Sequence, residues 1–286
     1  PRLLMRRPCS RRSNVVLGLL ATMPFALVAA VGCKRTTSTD PSPVGSSGSV
    51  GPTASASAAP KIPPPARFTG SSLARDPAER ALYLADEDAG VLRKVALPLA
   101  KDALGTETKL AGPPAQVLVR SQELYVTVRD PSALIVLVDE TDLPDGKLRE
   151  VGSVKLPDDA WGMALSPDEA TLLVTSAWTH KVSVIDLKTR TVLATLDVAR
   201  EPRGVVFTPD GKRAFVGHLQ GSALTKIDLA GAESRASRVE LPTGLTRAPR
   251  SGKLTASLAY APVVSPDGSR LFVPRHALGA LAFDGG

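Results

Sequence analysis

One short pattern returns along this chain at a fixed interval, and that interval restricts what the chain can fold into. Ser166-Pro167-Asp168-Glu169 precedes Leu172-Leu173-Val174, and 42 residues later Thr208-Pro209-Asp210-Gly211 precedes Ala214-Phe215-Val216. Ser265-Pro266-Asp267-Gly268 precedes Leu271-Phe272-Val273 in the same way. Val184-Ile185-Asp186 and Lys226-Ile227-Asp228 are also 42 apart. Two weaker copies lie upstream, Leu82-Tyr83-Leu84 after Asp76-Pro77 and Leu124-Tyr125-Val126 after Gln122-Glu123. Repeats of this length are single supersecondary units that bury their apolar faces against their neighbours.

The residues of one unit say what that unit is. Ser-Pro-Asp-Gly spells a type I turn, with Pro setting φ and Gly taking the positive φ that follows. Trp161–Leu165, the triplet at Leu172, Lys181–Ile185 and Thr191–Val198 are β-rich runs separated by turn signals such as Asp186-Leu187-Lys188-Thr189. The aromatic share is only 4%, so the core must be built from Val, Leu, Ala and Ile, which suits short strands. Four antiparallel strands in 40–45 residues make a propeller blade. The expected fold is therefore all-β, a β-propeller of four-stranded blades over residues 67–286, with about five blades visible. Val174, Val216 and Val273 should occupy equivalent second strands, and the Asp168, Asp210 and Asp267 turns should share one face.

These motifs resemble the YVTN family of β-propellers, most closely over Ser166–Val198. WD-repeat propellers share the period, but Gly217-His218 has no matching Trp-Asp dipeptide. The resemblance implies seven blades in a complete protein. Residues 1–4 precede the first Met, and the chain stops at Phe283-Asp284-Gly285-Gly286 inside a repeat. Both ends are those expected of a piece of a longer reading frame.

The formal net charge of +7 invites a nucleic-acid partner, but its location argues against one. Arg2, Arg6, Arg7, Arg11 and Arg12 all precede Cys33 and no acid does. Of 35 basic residues, 30 remain after the first 32 positions, against 28 acids. The basicity belongs to a targeting segment. Met5–Arg12 is its cationic region, and Val15–Val31 is uncharged. Ala30-Val31-Gly32-Cys33 resembles a bacterial lipobox, in which the cysteine is acylated and becomes the N-terminus. Residues 1–33 are thus read as a lipoprotein signal peptide with upstream residues. Ser10-Arg11-Arg12-Ser13 also resembles a twin-arginine signal, so the export route stays open. Residues 34–66 follow as a disordered tether: 26 of these 33 residues are Ser, Pro, Gly, Thr or Ala. Such a composition cannot bury enough apolar surface to offset its ordering entropy. The tether reaches between roughly 30 and 100 Å.

No catalytic motif accompanies this architecture. The chain has no His-Glu-x-x-His, no Cys-x-x-Cys-His and no Gly-x-Ser-x-Gly. After processing, Cys33 would be the only cysteine, so no disulfide framework is possible. His218 and His276 follow second-strand triplets and could share a rim as a ligand pair; turn or rim histidines are the plainer alternative for both, and for His180. The acidic run Asp86–Asp88 reads as a solvated turn, because the calcium-loop pattern fails at Leu97, and Asp139, Glu140, Asp142 and Asp145 are read as a solvated turn as well. The stretch Arg235–Tyr260 exceeds its counterparts by about 15 residues and carries Arg247, Arg250 and Lys253 among its basic side chains. It is expected to be a loop-like excursion that could contact an anionic partner or another part of the full-length chain.

The expected function is a binding or scaffold module of the cell envelope, anchored to the membrane by lipid on Cys33 and engaging a protein or small molecule. No nucleic acid, metal or cofactor is expected within this chain. Two alternatives stay open. One is the propeller part of a c-type cytochrome or peroxidase-like electron-transfer protein, its haem domain lying beyond residue 286. The other is a lactonase-like hydrolase, which would need a metal or a cluster of Arg, His and Glu in a central funnel, and these residues do not converge by spacing.

Overall fold

The computed structural model describes residues 68–101, 104–140, 146–221, 223–241 and 257–276, all in the second of the chain's two units, Lys61–Gly286. Within it the three turn motifs fold alike. Ser166, Thr208 and Ser265 donate their hydroxyls to the Asp two residues on, at 2.5, 2.6 and 2.5 Å. Each Asp also accepts a backbone N–H at 3.1 Å, from Ala170, Lys212 or Ser269. These bonds hold the carboxyls below their usual range, and Asp267, with Ser265 and Ser269 both donating, is brought down to about 2. The fourth position takes φ of +57° at Glu169, +68° at Gly211 and +70° at Gly268, which is why Gly stands there twice. A Cβ on Gly211 would lie 3.5 Å from Pro167, and one on Gly268 3.2 Å from Pro209. The turns of successive repeats therefore stack on one face, as their common offset predicts.

Each turn joins the first two strands of a sheet. Blade 1 runs β1 (Leu73–Arg75), β2 (Ala81–Asp86), β3 (Val91–Ala96), β4 (Thr106–Lys109). Blade 2 runs β5 (Pro114–Arg120), β6 (Glu123–Val128), β7 (Ala133–Val138), β8 (Arg149–Lys155). Blade 3 runs β9 (Ala160–Leu165), β10 (Thr171–Ser176), β11 (Lys181–Asp186), β12 (Thr191–Asp197), its two ends within one residue of the sequence expectation and its second strand longer than the expected triplet. Blade 4 runs β13 (Pro202–Phe207), β14 (Arg213–His218), β15 (Ala223–Asp228), β16 (Arg235–Glu240). All four are antiparallel with neighbours in chain order. A fifth blade is begun by β17 (Ser257–Ala259), β18 (Val263–Val264), β19 (Leu271–Phe272) and β20 (Arg275–His276), which pair across the Asp267 turn.

The sequence predicts a loop-like excursion from Arg235 onward, but Arg235–Glu240 pairs along its whole length with β15, from Asp228↔Arg235 to Ala223↔Glu240. The charges belong to an outer strand, where a polar exposed edge is what keeps a sheet from pairing further. Residues 242–256, with Arg247, Arg250 and Lys253, lie outside the described residues.

The core lies between blades. Side chains alternate along a strand, so Leu172 and Val174 pack toward blade 2, in a cluster with Leu118, Leu134 and Met163. Leu173 packs toward blade 4, with Val205, Val216 and Ile227. Tyr83, Leu92, Val117 and Leu124 join blades 1 and 2. The second strands are thus covered on both sides, and their apolar triplets read as continuous runs. The segment before β1 adds to this: Thr69 bridges Ala164 and Ser71 bridges Val117, so Phe68–Ser71 runs along the inner strands β9 and β5.

A repeated polar device holds the blades in register. The Thr127 hydroxyl accepts the Gln116 N–H at 3.1 Å and donates to the Trp161 carbonyl of the next blade at 2.7 Å. Thr175 does the same, accepting from Gly162 at 2.8 Å and donating to the Arg203 carbonyl at 2.8 Å. In blade 4 the position is Gly217, and the Gly204 N–H bonds the Tyr260 carbonyl directly at 2.9 Å. Thr175→Val keeps the shape and leaves two buried backbone groups unpaired. It should lower unfolding free energy by about 2 kcal/mol in urea titrations. A loss below about 0.5 kcal/mol would mean that the hydroxyl bridge contributes nothing to blade docking.

Candidate recognition face

The blade topology brings two sets of residues to the end opposite the Asp turns. One set stands at the starts of first strands, the other just past the ends of second strands. Trp161 and Arg203 belong to the first set, on β9 and β13; Glu87, Arg129 and Trp178 belong to the second. Tyr260 follows β17. Both tryptophans of the chain are therefore on this face.

These side chains form a ladder of alternating rings and cations. The Arg129 guanidinium lies 5.9 Å from the Trp178 ring centroid and 4.6 Å from that of Trp161. Arg203 covers the Trp161 ring at 4.3 Å. The Trp161 Nε1–H donates to the Tyr260 hydroxyl at 3.0 Å. Cation–π contacts of this kind contribute about 0.5–2 kcal/mol each.

Carboxylates hold the cations in place. Arg129 Nε donates to Asp159 Oδ1 at 2.5 Å, and its Nη1 donates to Glu87. Arg203 Nη2 donates to Glu201 at 2.9 Å. Asp159 and Glu201 stand two residues before Trp161 and Arg203, at the blade-to-blade connections, with φ of +65° and +51°. Neither is glycine, and each conformation costs about 1–2 kcal/mol. The strained backbone aims both carboxylates at the arginines. Asp159 Oδ2 and Arg203 Nε and Nη1 are buried without a hydrogen-bond partner. Trp178 remains 65% exposed and Tyr260 44% exposed, so the outer surface of the ladder is open to a ligand.

The residues singled out in the sequence fare differently. Cys33, Arg247, Arg250 and Lys253 lie outside the described residues. His276 closes β20, where it pairs with Ser257. His218 is no rim residue: it is fully buried at the end of β14. Its Nδ1–H donates to the Arg200 carbonyl at 3.0 Å, and its Nε2 accepts from the Thr225 hydroxyl at 2.8 Å. Burial pushes its pKa down to about 4. His180 holds the β10–β11 turn with φ of +54°. Asp139 is likewise not a solvated turn residue: it is buried, ion-paired to Lys94 at 2.6 Å, and accepts from the Tyr83 hydroxyl of blade 1. Burial, reinforced by Asp139, pushes the Tyr83 phenol far above its ordinary value. Among the described residues no three of His, Cys, Asp and Glu converge as metal ligands.

The ladder itself escaped the sequence reading. A usable signal was present, because a residue opening a first strand and one following a second strand must share an end of the blade. Trp161 and Trp178 satisfy that condition within one repeat.

No protein-family model matches the chain, and no curated protein matches it. Solved structures do. The hydrazine synthase of Kuenenia stuttgartiensis is similar at 20% identity with a TM-score of 0.57, over 71% of this chain and 54% of that one. A protein of unknown function from Desulfotomaculum acetoxidans is similar at 16% identity and TM-score 0.54, over 72% and 62%. The periplasmic gluconolactonase of Pseudomonas aeruginosa is similar at 18% identity and TM-score 0.51, over 60% and 55%. The chain thus spans less than two thirds of the length of each. Likenesses at these identities carry the fold alone, and together with the stacked four-stranded sheets they show that the chain forms a β-propeller.

Proposed function

We propose that this propeller is a YVTN-like, non-catalytic binding module of the cell envelope, exported and held at a membrane by lipid on Cys33. The Ala30-Val31-Gly32-Cys33 run and the Ser/Pro/Ala-rich residues 34–66 support the anchor and its spacer. The observation that carries the binding role is the Trp178–Arg129–Trp161–Arg203 ladder. Its outer members Trp178 and Tyr260 are exposed, and its mix of aromatic rings and arginines is the composition that recognition sites favour. The anchor is tested by expressing the tagged chain with radioactive palmitate. Label should be present in the parent and absent in Cys33→Ser, and equal label in both would refute acylation at Cys33.

A second reading is hydrolysis of a sugar lactone, supported by the likeness to the gluconolactonase and by the convergence of Arg129, Arg203, Glu87 and Glu201 on one face. Glucono-δ-lactone separates the two readings. A binding module leaves its spontaneous opening rate unchanged. Acceleration that disappears in Glu87→Gln or Arg203→Ala would favour the hydrolase.

A further inference from the structure

We infer that the aromatic ladder is a subsite for neutral glycans, with pyranose rings stacking on Trp178 and their hydroxyls bonding the acidic rim. This names the ligand class for the binding-module reading above and rests on it.

The geometry supplies a platform. In a chain with only 4% aromatic residues, both tryptophans and one of three tyrosines lie together on one face. Trp178 is 65% exposed, yet Arg129 behind it is tied to Asp159 and Glu87. Arg129 also supports Trp161, which is bonded to Tyr260. Rings held in this way lose little freedom when a ligand arrives.

The charge selects the ligand. Two guanidiniums, Arg129 and Arg203, face three carboxylates, Asp159, Glu87 and Glu201. Arg129 is paired with Asp159 and Glu87, Arg203 is paired with Glu201 and its remaining N–H groups are buried, so the carboxylates outnumber the guanidiniums of the ladder and disfavour a phosphate or an acidic polymer. What it offers is an open ring face with a negative quadrupole and, at its rim, the half-exposed Glu87 and the Tyr260 hydroxyl. A pyranose presents the complement, polarised C–H groups on its faces and hydroxyl donors at its edge. The surroundings favour a sugar over a protein partner. Glu87, on Arg129, and the hydrogen-bonded pair Asp158 and Thr179, next to Asp159 and Trp178, are polar where a protein interface would place further apolar side chains.

The chain carries its own reporter, since Trp161 and Trp178 are its only tryptophans. The chain with residues 1–32 removed is titrated with cellohexaose, mannohexaose and chitohexaose, with polygalacturonate oligomers as the acidic comparison, and fluorescence and calorimetry are recorded. At least one neutral hexasaccharide should give a saturable fluorescence change. Its affinity should be unaffected between about 0.05 and 0.5 M NaCl. Trp178→Ala should weaken it by about tenfold or more while lowering the melting temperature by no more than about 4 °C, and Glu87→Gln should weaken it less. No response to any neutral hexasaccharide overturns the inference. Tighter, salt-sensitive binding of polygalacturonate overturns it too, while leaving the binding-module reading in place. Turnover of glucono-δ-lactone without hexasaccharide binding removes both.

Discussion

Gly162→Ala should destabilise the propeller by about 4 kcal/mol or more, from the addition of one methyl group. A Cβ at Gly162 would stand 2.0 Å from the Arg203 carbonyl oxygen and 3.0 Å from Thr175 Oγ1. Carbon and oxygen do not normally approach closer than about 3.3 Å. The obstruction is backbone, so no rotamer change relieves it. Blades 3 and 4 must separate by roughly 1 Å, which breaks the Thr175–Arg203 bond and opens the cluster of Leu173, Val205 and Val216. At the usual scaling for a domain of this size, the melting temperature falls by about 10 °C. Gly90→Ala is the control: nothing lies within 4 Å of its added Cβ, and its φ of +65° costs only about 1 kcal/mol. Equal effects of the two substitutions would show that close blade approach is not what Gly162 permits.

Acid should weaken the same interior through His218, by about 2 kcal/mol between pH 7.5 and 5 and about 3 kcal/mol by pH 4. The folded pKa is about 4 against an ordinary 6.5, because burial disfavours the charged ring. The unfolded chain therefore binds the proton first. The stabilisation is fully present above about pH 6.5 and is lost as pH falls through that value toward 4. The Asp168, Asp210 and Asp267 carboxyls lie below their usual range, so their contributions are lost at lower pH. A window ending at pH 5 thus isolates the histidine from the turns. His218→Gln can still hydrogen-bond toward the Arg200 carbonyl and Thr225. It should be less stable at neutral pH but nearly flat from pH 7.5 to 5. Urea titrations across that range decide the matter, and an identical acid loss in the variant would place the proton elsewhere.

The legible parts of this protein are those that a single repeat contains. The Ser-Pro-Asp-Gly turns hydrogen-bond to themselves, so their folding needs no neighbour. The alternation of Leu172, Leu173 and Val174 sets the two faces of a strand wherever the blade is docked. Blade 3 could therefore be bounded within one residue from its turns and apolar runs. Arg235–Glu240 was misread because charge density is a feature shared by loops and outer strands, and only pairing with β15 distinguishes them.

The sequence by itself determined the period, the strand order within a blade and the face that carries the Asp turns, since all of these follow from interactions within about 42 residues. Tertiary structure alone decided what the blades do to one another. Asp139 became a buried partner for Lys94 and Tyr83 because blade 1 closes over it. Its side chain reads as a solvated acid in the sequence, where that neighbour is invisible. His218 lost its place on a rim because Arg200 and Thr225 enclose it. The ladder draws Arg129, Trp161 and Trp178, Arg203 and Tyr260 from blades 2, 3, 4 and 5. Its spacing is the distance between docked blades, a quantity set by how the apolar faces pack and written in no one repeat.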